Sequence, residues 1–383
     1  MKNNLKRIYF DISATTPIDL DVAEYMQSIL INTYGNPSSI HREGQASKAI
    51  IEKARNQIAN ALNCSAEEII FTSSGTESNN MVLKGTLNEG EHLITSSYEH
   101  PAILKIIPFL EKNGIEFSLV KPNKNGIVDI ESIKDKIKNN TKLISIMYVN
   151  NELGTINPIN SIGELAKNNN ILFHSDAVQA FGKIPIDINK THINFLSISA
   201  HKLYGPKGVG AIYIKNGSIL NPLIHGGSQE SNLRASTENI SGIGGFGMAS
   251  ELANTNLNRN TSYIQTLEES FIKALNKMKL TYNINGINRV PGVFNITLPD
   301  LNGQTLVMQL DLEGIGISNG AACSSGTTKA SEMLIDLGMD QNEALSTVRI
   351  SFGKIHNKNQ INHFVKTMSK IISKQNNTIK YAK

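Results

Sequence analysis

The run Glu68-Ile69-Ile70-Phe71-Thr72-Ser73-Ser74-Gly75-Thr76-Glu77-Ser78 decides the fold, because it passes from a strand through a glycine turn into a helix. The uninterrupted apolar start is typical of a strand that is buried on both faces. Such a turn directs backbone N–H groups and the positive end of the helix dipole toward one point, where a phosphate can bind. A Gly-Thr turn also often does no more than cap a helix. This run alone leaves both interpretations open.

Short apolar runs and helical segments alternate on both sides of this run. A helix is predicted over Gln45–Leu62, where apolar residues recur at helical spacing. Further helices are predicted over Ala102–Asn113 and Ile130–Lys138. Strands are predicted at His92–Thr95, Phe117–Val120, Leu143–Met147, Ile171–Phe173, Phe195–Ile198 and Gly210–Ile214. The alternation predicts an α/β fold with a large, mostly parallel sheet that carries helices on both faces.

The pattern changes after about Ser250. A long helix is predicted from Asn258 to Met278, then a strand around Val293–Leu298 and a last helix over Gln360–Lys374. A chain of 383 residues is too long for one compact core. We therefore place a domain boundary near residue 255.

Composition narrows the class of protein. Hydrophobic residues make up 40% of the chain and charged residues 18%, as in a globular protein in water. The net charge of +4 is small for this length and argues against direct nucleic-acid binding. Because the sequence contains no apolar run long enough to span a bilayer and no signal peptide, we expect a cytoplasmic protein without membrane contact.

Two more motifs fall where predicted strands end. Asp176 follows a buried strand, a place where open α/β sheets bind ligands, although it could also be a helix cap. Lys202 follows the next strand and could bond covalently to an aldehyde, although most lysines are merely solvated. A phosphate turn, an aspartate and a lysine at one sheet edge together suit pyridoxal 5'-phosphate: the lysine binds its aldehyde and the aspartate its ring nitrogen.

Cys323 lies in a run of small and polar residues, 318–329, which is typical of an exposed loop. An accessible thiolate there would be a nucleophile. The other cysteine, Cys64, follows Leu62 and fits an apolar, structural environment.

Together these motifs resemble the cysteine desulfurases of the pyridoxal-phosphate fold type I superfamily, in the class-V aminotransferase family, over roughly Tyr9 to Lys370. The segments that carry the resemblance are Asp11–Pro17, Tyr34–Ser39, Gly75–Asn79, Glu99-His100, Val149–Gly154, His174–Gln179, Ser199–Gly208, Ala321–Gly326 and Val348–Ser351. The resemblance implies three parts: an N-terminal segment, 1–14, that joins the small domain; a large cofactor-binding domain, 15–255; and a small α/β domain, 256–383, with the Cys323 loop.

The resemblance also implies a role for each matching residue. Lys202 would hold the cofactor and move the Cα proton, assisted by His100, which stacks on the ring. Arg349 would bind the substrate carboxylate as a fork, helped by Asn151, although Arg349 alone also fits a structural ion pair. His174 is interpreted as a packed strand-end histidine. The remaining cofactor contacts would come from Gly75, Thr76, Ser199 and His201 at the phosphate, Asp176 and Gln179 at the ring, and Thr237 from the neighbouring subunit of a homodimer.

The implied reaction converts L-cysteine to L-alanine and leaves the sulfur on Cys323 as a persulfide. A sulfur-acceptor protein, either an iron–sulfur scaffold or a tRNA-thiolation enzyme, would then take the sulfur. The alternatives are a selenocysteine lyase or another fold type I enzyme such as an aminotransferase, and a non-catalytic homologue. Cys323 argues against an aminotransferase, and Lys202 with Cys323 argues against a non-catalytic protein.

The sequence departs from the family pattern at two places. A stretch that usually reads Glu-Arg-Gly-x-Arg-Ser-Gly-Thr is here Glu230–Thr237, which lacks one arginine and both glycines. A usual Pro-Ser-His after the cysteine loop is here Ala330–Glu332. These departures bear on local phosphate or subunit contacts and on the sulfur acceptor.

Overall fold

The computed structural model describes residues 7–278, 280–299, 301–319 and 330–381. Its strands are β1 Ile8–Tyr9, β2 Ile69–Thr72, β3 His92–Ser96, β4 Glu116–Val120, β5 Thr141–Ser145, β6 Leu172–Asp176, β7 Phe195–Ser199, β8 Gly210–Ile214, β9 Asn283–Asn285, β10 Val293–Thr297, β11 Ile315–Gly316 and β12 Thr347–Ser351. Its helices are α1 Leu20–Asn32, α2 Arg42–Leu62, α3 Gly75–Thr86, α4 Pro101–Leu104, α5 Ile107–Lys112, α6 Ile130–Lys134, α7 Ile159–Asn168, α8 Ile240–Thr255, α9 Leu257–Lys277, α10 Gly303–Leu312, α11 Glu332–Asp336, α12 Gln341–Leu345 and α13 Lys358–Tyr381.

The predicted α/β sheet is confirmed. Seven strands lie in the order β2-β8-β7-β6-β5-β3-β4. Strand β8 runs antiparallel to both of its neighbours, and the other pairs are parallel. Strands β6 and β7 are central neighbours, with Asp176 paired to Ser197. Their carboxyl ends therefore bring the Asp176 and Lys202 motifs to one edge of the sheet.

The predicted helix over 102–113 is wrong in one respect, because the structure divides it into α4 and α5. Pro108 lies in the first turn of α5, where its missing N–H costs no helical hydrogen bond. In one continuous helix the same ring would clash with the preceding turn. Helix α6 likewise ends at Lys134, earlier than predicted.

A second hydrophobic core forms around the sheet β12-β10-β9 and helices α9, α10 and α13. Phe10 belongs to this core, and β1 pairs in parallel with β11, so the N-terminal segment packs there. Met333 and Leu334 of α11 pack instead on the core of the large sheet. This grouping supports, as a proposal, the predicted division near residue 255. Among the helices of the described ranges, none has the length and apolar character that a membrane crossing requires.

The segment that departs from the family pattern has an unusual backbone. Glu230, Ser231 and Asn232 have φ angles of 47°, 57° and 67°, and Ser236 has 119°. Positive φ is costly for a residue with a side chain, and 119° lies far from the small region that such residues tolerate. Two ion pairs hold the segment: Arg55 binds Glu230, and Arg234 binds Glu77 at 2.9 Å. Asn232 and Ser236, which stand where the family pattern has glycine, thus keep backbone conformations that suit glycine.

Replacing Ser236 with glycine should therefore raise the free energy of unfolding. We expect a gain of about 1 kcal/mol for S236G, because glycine relieves backbone strain at this φ. The matched control is S262G at an exposed position within α9, which should lower stability by roughly 0.5–1 kcal/mol. Urea denaturation of both variants measures the difference, and a loss of stability in S236G would contradict the argument.

Candidate active site

A cavity of about 250 Å³ lies at the carboxyl ends of β6 and β7, beside the start of α3. Ten residues with predicted roles line it: Gly75, Thr76, His100, Asn151, Asp176, Gln179, Ser199, His201, Lys202 and Arg349. Six further residues complete the lining: Ser13, Ala14, Ser74, Asn79, Met147 and Val178. The fold thus brings together residues that are up to 336 positions apart in the sequence, from Ser13 to Arg349.

One end of the cavity suits an anion. Helix α3 begins at Gly75, and the Ser74 hydroxyl caps it by accepting from the Glu77 N–H at 3.1 Å. A Cβ atom at Gly75 would lie only 2.6 Å from the Val178 Cγ2 atom and 3.7 Å from Ser199. A side chain at Gly75 would therefore collide with Val178 at the cavity wall, so glycine suits this first position of α3, where the helix dipole favours a phosphate.

Asp176 is the buried acceptor of the site. Its side chain is 5% exposed, and both carboxylate oxygens accept from neutral N–H donors. The Asn79 Nδ2 atom donates to Oδ2 at 2.7 Å, and the Val178 backbone donates to Oδ1 at 2.9 Å. Asn79 was not predicted to have a role, although its position one turn after Gly75 on α3 places both on one helix face.

Lys202 follows β7 and extends toward the N-terminal segment. Its Nζ atom donates to the carbonyl oxygens of Ser13 at 2.7 Å and Ala14 at 2.6 Å. The adjacent His201 contacts the Thr15 hydroxyl at 3.1 Å through Nδ1. Burial, together with the charges of nearby lysines including Lys202, lowers the pKa of His201 to about 4. His201 is therefore a neutral hydrogen-bonding group at neutral pH.

His100 is held at the start of α4. Its Nδ1 atom accepts from the Ala102 N–H at 3.1 Å, which assigns the ring proton to Nε2. Burial lowers the pKa of His100, Asp176 opposes that shift, and Lys202 adds to it. The neighbouring Glu99 is fully enclosed, and burial raises its pKa to about 8. A neutral imidazole with a fixed tautomer can stack on a ring and relay a proton.

Arg349 is 1% exposed and enters the cavity from β12. Its Nη2 atom donates to Asp11 at 2.7 Å, and its Nη1 atom donates to the Asn151 carbonyl at 2.8 Å. Among the described residues its buried Nε atom has no hydrogen-bond partner. The ion pair that was the structural alternative is present, and three of the five guanidinium N–H groups, including that of Nε, take part in neither of these two hydrogen bonds.

His174 does not reach the cavity. Its two ring nitrogens contact the hydroxyls of Ser145 at 2.8 Å and Ser197 at 3.0 Å on the neighbouring strands. Complete burial lowers its pKa to about 3, so the imidazole stays neutral. This matches its interpretation as a packed histidine.

Two predicted residues are not in the lining. Thr237 is exposed in the segment after Arg234 and is absent from the described lining of this chain's cavity. Cys323 lies outside the described residues. The structure therefore leaves the predicted roles of both untested.

The lining fits pyridoxal phosphate. The start of α3 offers N–H groups to a phosphate, and Lys202 offers an amine to an aldehyde. The buried Asp176 carboxylate borders the same cavity and would suit a cationic N–H donor such as a pyridinium. Within the described chain, the Asn79 Oδ1 atom, also buried here, has no partner, as expected of a polar wall made for a ligand. The fold and this cavity define a pyridoxal-phosphate enzyme of fold type I.

Comparisons with known proteins narrow the class. A family model described as aminotransferase class-V matches residues 8–364. Cysteine desulfurase IscS of Dictyoglomus turgidum is 42% identical over 96% of this chain and 95% of that protein. A NifS-like protein structure superimposes with a TM-score of 0.90 at 35% identity, covering 96% of this chain and 99% of that one. A structure titled SspA in complex with cysteine gives 0.81 at 37% identity, covering 90% and 98%.

The chain therefore belongs to the class-V aminotransferase family and, within it, to the cysteine desulfurases. The predicted family, fold type and cofactor are confirmed. The role of each lining residue stays a prediction.

Lys202 should be the lysine that carries the cofactor. After borohydride treatment of the purified protein, the cofactor should remain on the peptide that contains Lys202, and K202A should lose this trapping. K207A is the matched control, since Lys207 is exposed in the same motif and should leave trapping unchanged. Peptide mass spectrometry reports the site, and trapping on another lysine would refute the assignment.

Proposed function

We propose that this protein is a cysteine desulfurase that converts L-cysteine to L-alanine and retains the sulfur on Cys323 as a persulfide. The observation that carries the proposal is one cavity that combines Lys202, Asp176 and Arg349, whose guanidinium keeps N–H donors beyond those bound to Asp11 and Asn151. The similarity to proteins named cysteine desulfurase, over nearly the whole chain, supports the same reaction.

Bound pyridoxal phosphate supplies an electron sink for the electrons of the substrate Cα–H bond. Asp176 keeps that sink effective by pairing with a protonated ring nitrogen. Lys202 would hold the cofactor until the substrate amine takes its place, and the freed lysine amine would then accept the Cα proton as a general base. His100, neutral and tautomerically fixed, supports the ring and assists the proton transfer.

Substrate orientation depends on Arg349 and Asn151. The Arg349 guanidinium is fixed by Asp11 and by the Asn151 carbonyl, so its Nε–H has a defined direction before substrate arrives. A charge-assisted hydrogen bond to the cysteine carboxylate requires little rearrangement of the protein. The Asn151 side chain also borders the cavity and can donate to the same carboxylate.

Sulfur capture needs a thiolate. The Cys323 sulfur attacks the substrate sulfur, an S–S bond forms, and the substrate Cβ–S bond breaks with its electron pair left on the alanine carbon skeleton. Protonation at Cβ and Cα completes alanine. Cys64 is unsuited to this role, because burial and the nearby Glu68 raise its thiol pKa to about 12.

The Asp176 carboxylate should be essential for rate. We expect D176N to retain some cofactor yet form alanine at least about 100-fold more slowly, which corresponds to ~2.7 kcal/mol of barrier. D187N is the control, because Asp187 lies away from the cavity in a surface ion pair with Lys190. Alanine formation from cysteine measures both, and near-normal rates in D176N would assign the ring partner elsewhere.

Cys323 should separate cofactor chemistry from sulfur capture. C323A should still change the cofactor absorption when cysteine is added, but alanine and sulfide should fall close to background. In the unmodified protein, brief exposure to cysteine should add one sulfur, about 32 Da, to the Cys323 peptide as the persulfide mechanism requires.

C64A is the matched control for Cys323 and should desulfurate at the normal rate. Normal activity in C323A, or added sulfur on the Cys64 peptide, would contradict the role given to Cys323.

A homodimer belongs to the same proposal, with Thr237 reaching the phosphate of the partner's cavity. Large, exposed apolar side chains on α1 and on the segment after it support the proposal that a second subunit covers this face. They are Leu20, Leu30, Ile31, Tyr34 and Ile40, all at least 66% exposed. Monomeric proteins rarely expose such a patch.

The final acceptor of the sulfur is proposed to be an iron–sulfur scaffold or a tRNA-thiolation enzyme in the cytoplasm. The name IscS of the relatives favours iron–sulfur cluster assembly. Mixing the persulfide form with a candidate scaffold and following sulfur by mass tests this choice.

A further inference from the structure

Lys183 is a polar side chain beside the active site that the proposed reaction does not use. It lies one helical turn after Gln179 in the segment that leaves β6. Lys183 borders a smaller, mostly apolar cavity of about 60 Å³ and is absent from the described lining of the larger one. Lys202 borders both cavities. Lys183 therefore lies behind the wall that faces the cofactor.

A chain of hydrogen bonds connects Lys183 to that wall. The Lys183 Nζ atom donates to the Gln179 Oε1 atom at 2.7 Å. The Gln179 Nε2 atom donates to the Ser13 carbonyl at 2.8 Å. The same carbonyl accepts from the Lys202 Nζ atom at 2.7 Å. Lys183 thus contacts the site through one amide.

These partners fix which end of the Gln179 amide faces the cavity. The Lys183 ammonium can only donate and the Ser13 carbonyl oxygen can only accept. A reversed amide would therefore place its N–H groups against the Lys183 ammonium and its oxygen against the Ser13 carbonyl. The observed orientation directs the amide nitrogen toward Ser13. That nitrogen carries a second N–H, and Gln179 borders the cofactor cavity. Without Lys183, one of the two constraints on the amide is lost.

We infer that Lys183 is a positioning residue that holds Gln179 with its N–H groups toward the cofactor's ring oxygen. The inference rests on the proposed contact between Gln179 and that oxygen. Lys183 acts through Gln179 and touches neither substrate nor cofactor.

Other charges surround Lys183 and must be separated from this effect. Burial lowers the pKa of Lys183 to about 7, with smaller contributions from Lys202 and Arg349. The charge of Lys183 also contributes to the lowered pKa of His201. Across the smaller cavity lies the ion pair of Asp19 with Lys354. If the charge of Lys183 acted directly on the cofactor, its effect would be the same with or without the Gln179 amide. A positioning effect requires that amide.

The test is the acid–base transition in the absorption of the bound cofactor, measured without cysteine. A donor at the ring oxygen stabilises its anionic form, so loss of the fixed donor should move the transition to higher pH. For K183M we expect a rise of about one pH unit, and K183R, which keeps the donor, should restore most of it. K190M removes an exposed lysine and should leave the transition unchanged.

Gln179→Leu and K183M, made singly and together, form a double-mutant cycle. Gln179→Leu alone should show the same upward shift, and K183M should add little in its background, because residues that act through one contact are not additive. An unmoved transition in K183M, or an equal shift with and without Gln179, would overturn the inference.

A structural role is distinguished by a second measurement. If K183M lowers the thermal midpoint of the cofactor-stripped protein while the transition stays in place, the inference fails. If K183M does not fold, K183A takes its place with the same expected upward shift, and a normal transition in K183A overturns the inference. Because no cysteine is used, the outcome is independent of whether the protein desulfurates.

Discussion

The carbonyl oxygens of Ser13 and Ala14 accept from the Lys202 Nζ atom, and this contact ties the N-terminal segment to the active site. The same short N-terminal segment places Phe10 in the second core and Asp11 against Arg349. One strap of chain thus fixes the lysine and the arginine relative to each other. Since a misplacement of about 1 Å can cost two orders of magnitude in rate, a segment attached at both ends is a sound way to align the two groups.

Much of the fold followed from local sequence. The strands near Ile69, Phe195 and Gly210 were predicted within a residue or two, because buried strands require continuous apolar runs. The break between α4 and α5 was missed, because the apolar spacing continues up to and beyond Pro108 although the helical hydrogen bonding is interrupted between the two helices. Periodicity reports which face is buried but not where a hydrogen bond is lost.

The residues of the site likewise fall into those that could be predicted from local sequence and those that could not. Motifs that touch a ligand have distinctive residues, so Asp176, Lys202 and Gly75 could be identified. Asn79 and Lys183 were not, because an asparagine inside a helix and a lysine after a turn are common. The contact of Asn79 with Asp176 arises only when α3 packs against β6, and no local pattern encodes that packing. The contact of Lys183 with Gln179 spans only four residues, but the sequence does not show that the lysine is buried against the site.

The antiparallel strand β8 has a consequence for how the enzyme matures. It joins β2 to β7, so the phosphate turn reaches Lys202 only after strands β2 and β8, about 140 residues apart in the chain, have paired. Pairings of such long range form slowly. A nascent chain would therefore lack a complete cofactor pocket until this sheet closes. Vitamin supply could then influence the yield of native enzyme, because a ligand that binds only the finished state draws the folding equilibrium toward it.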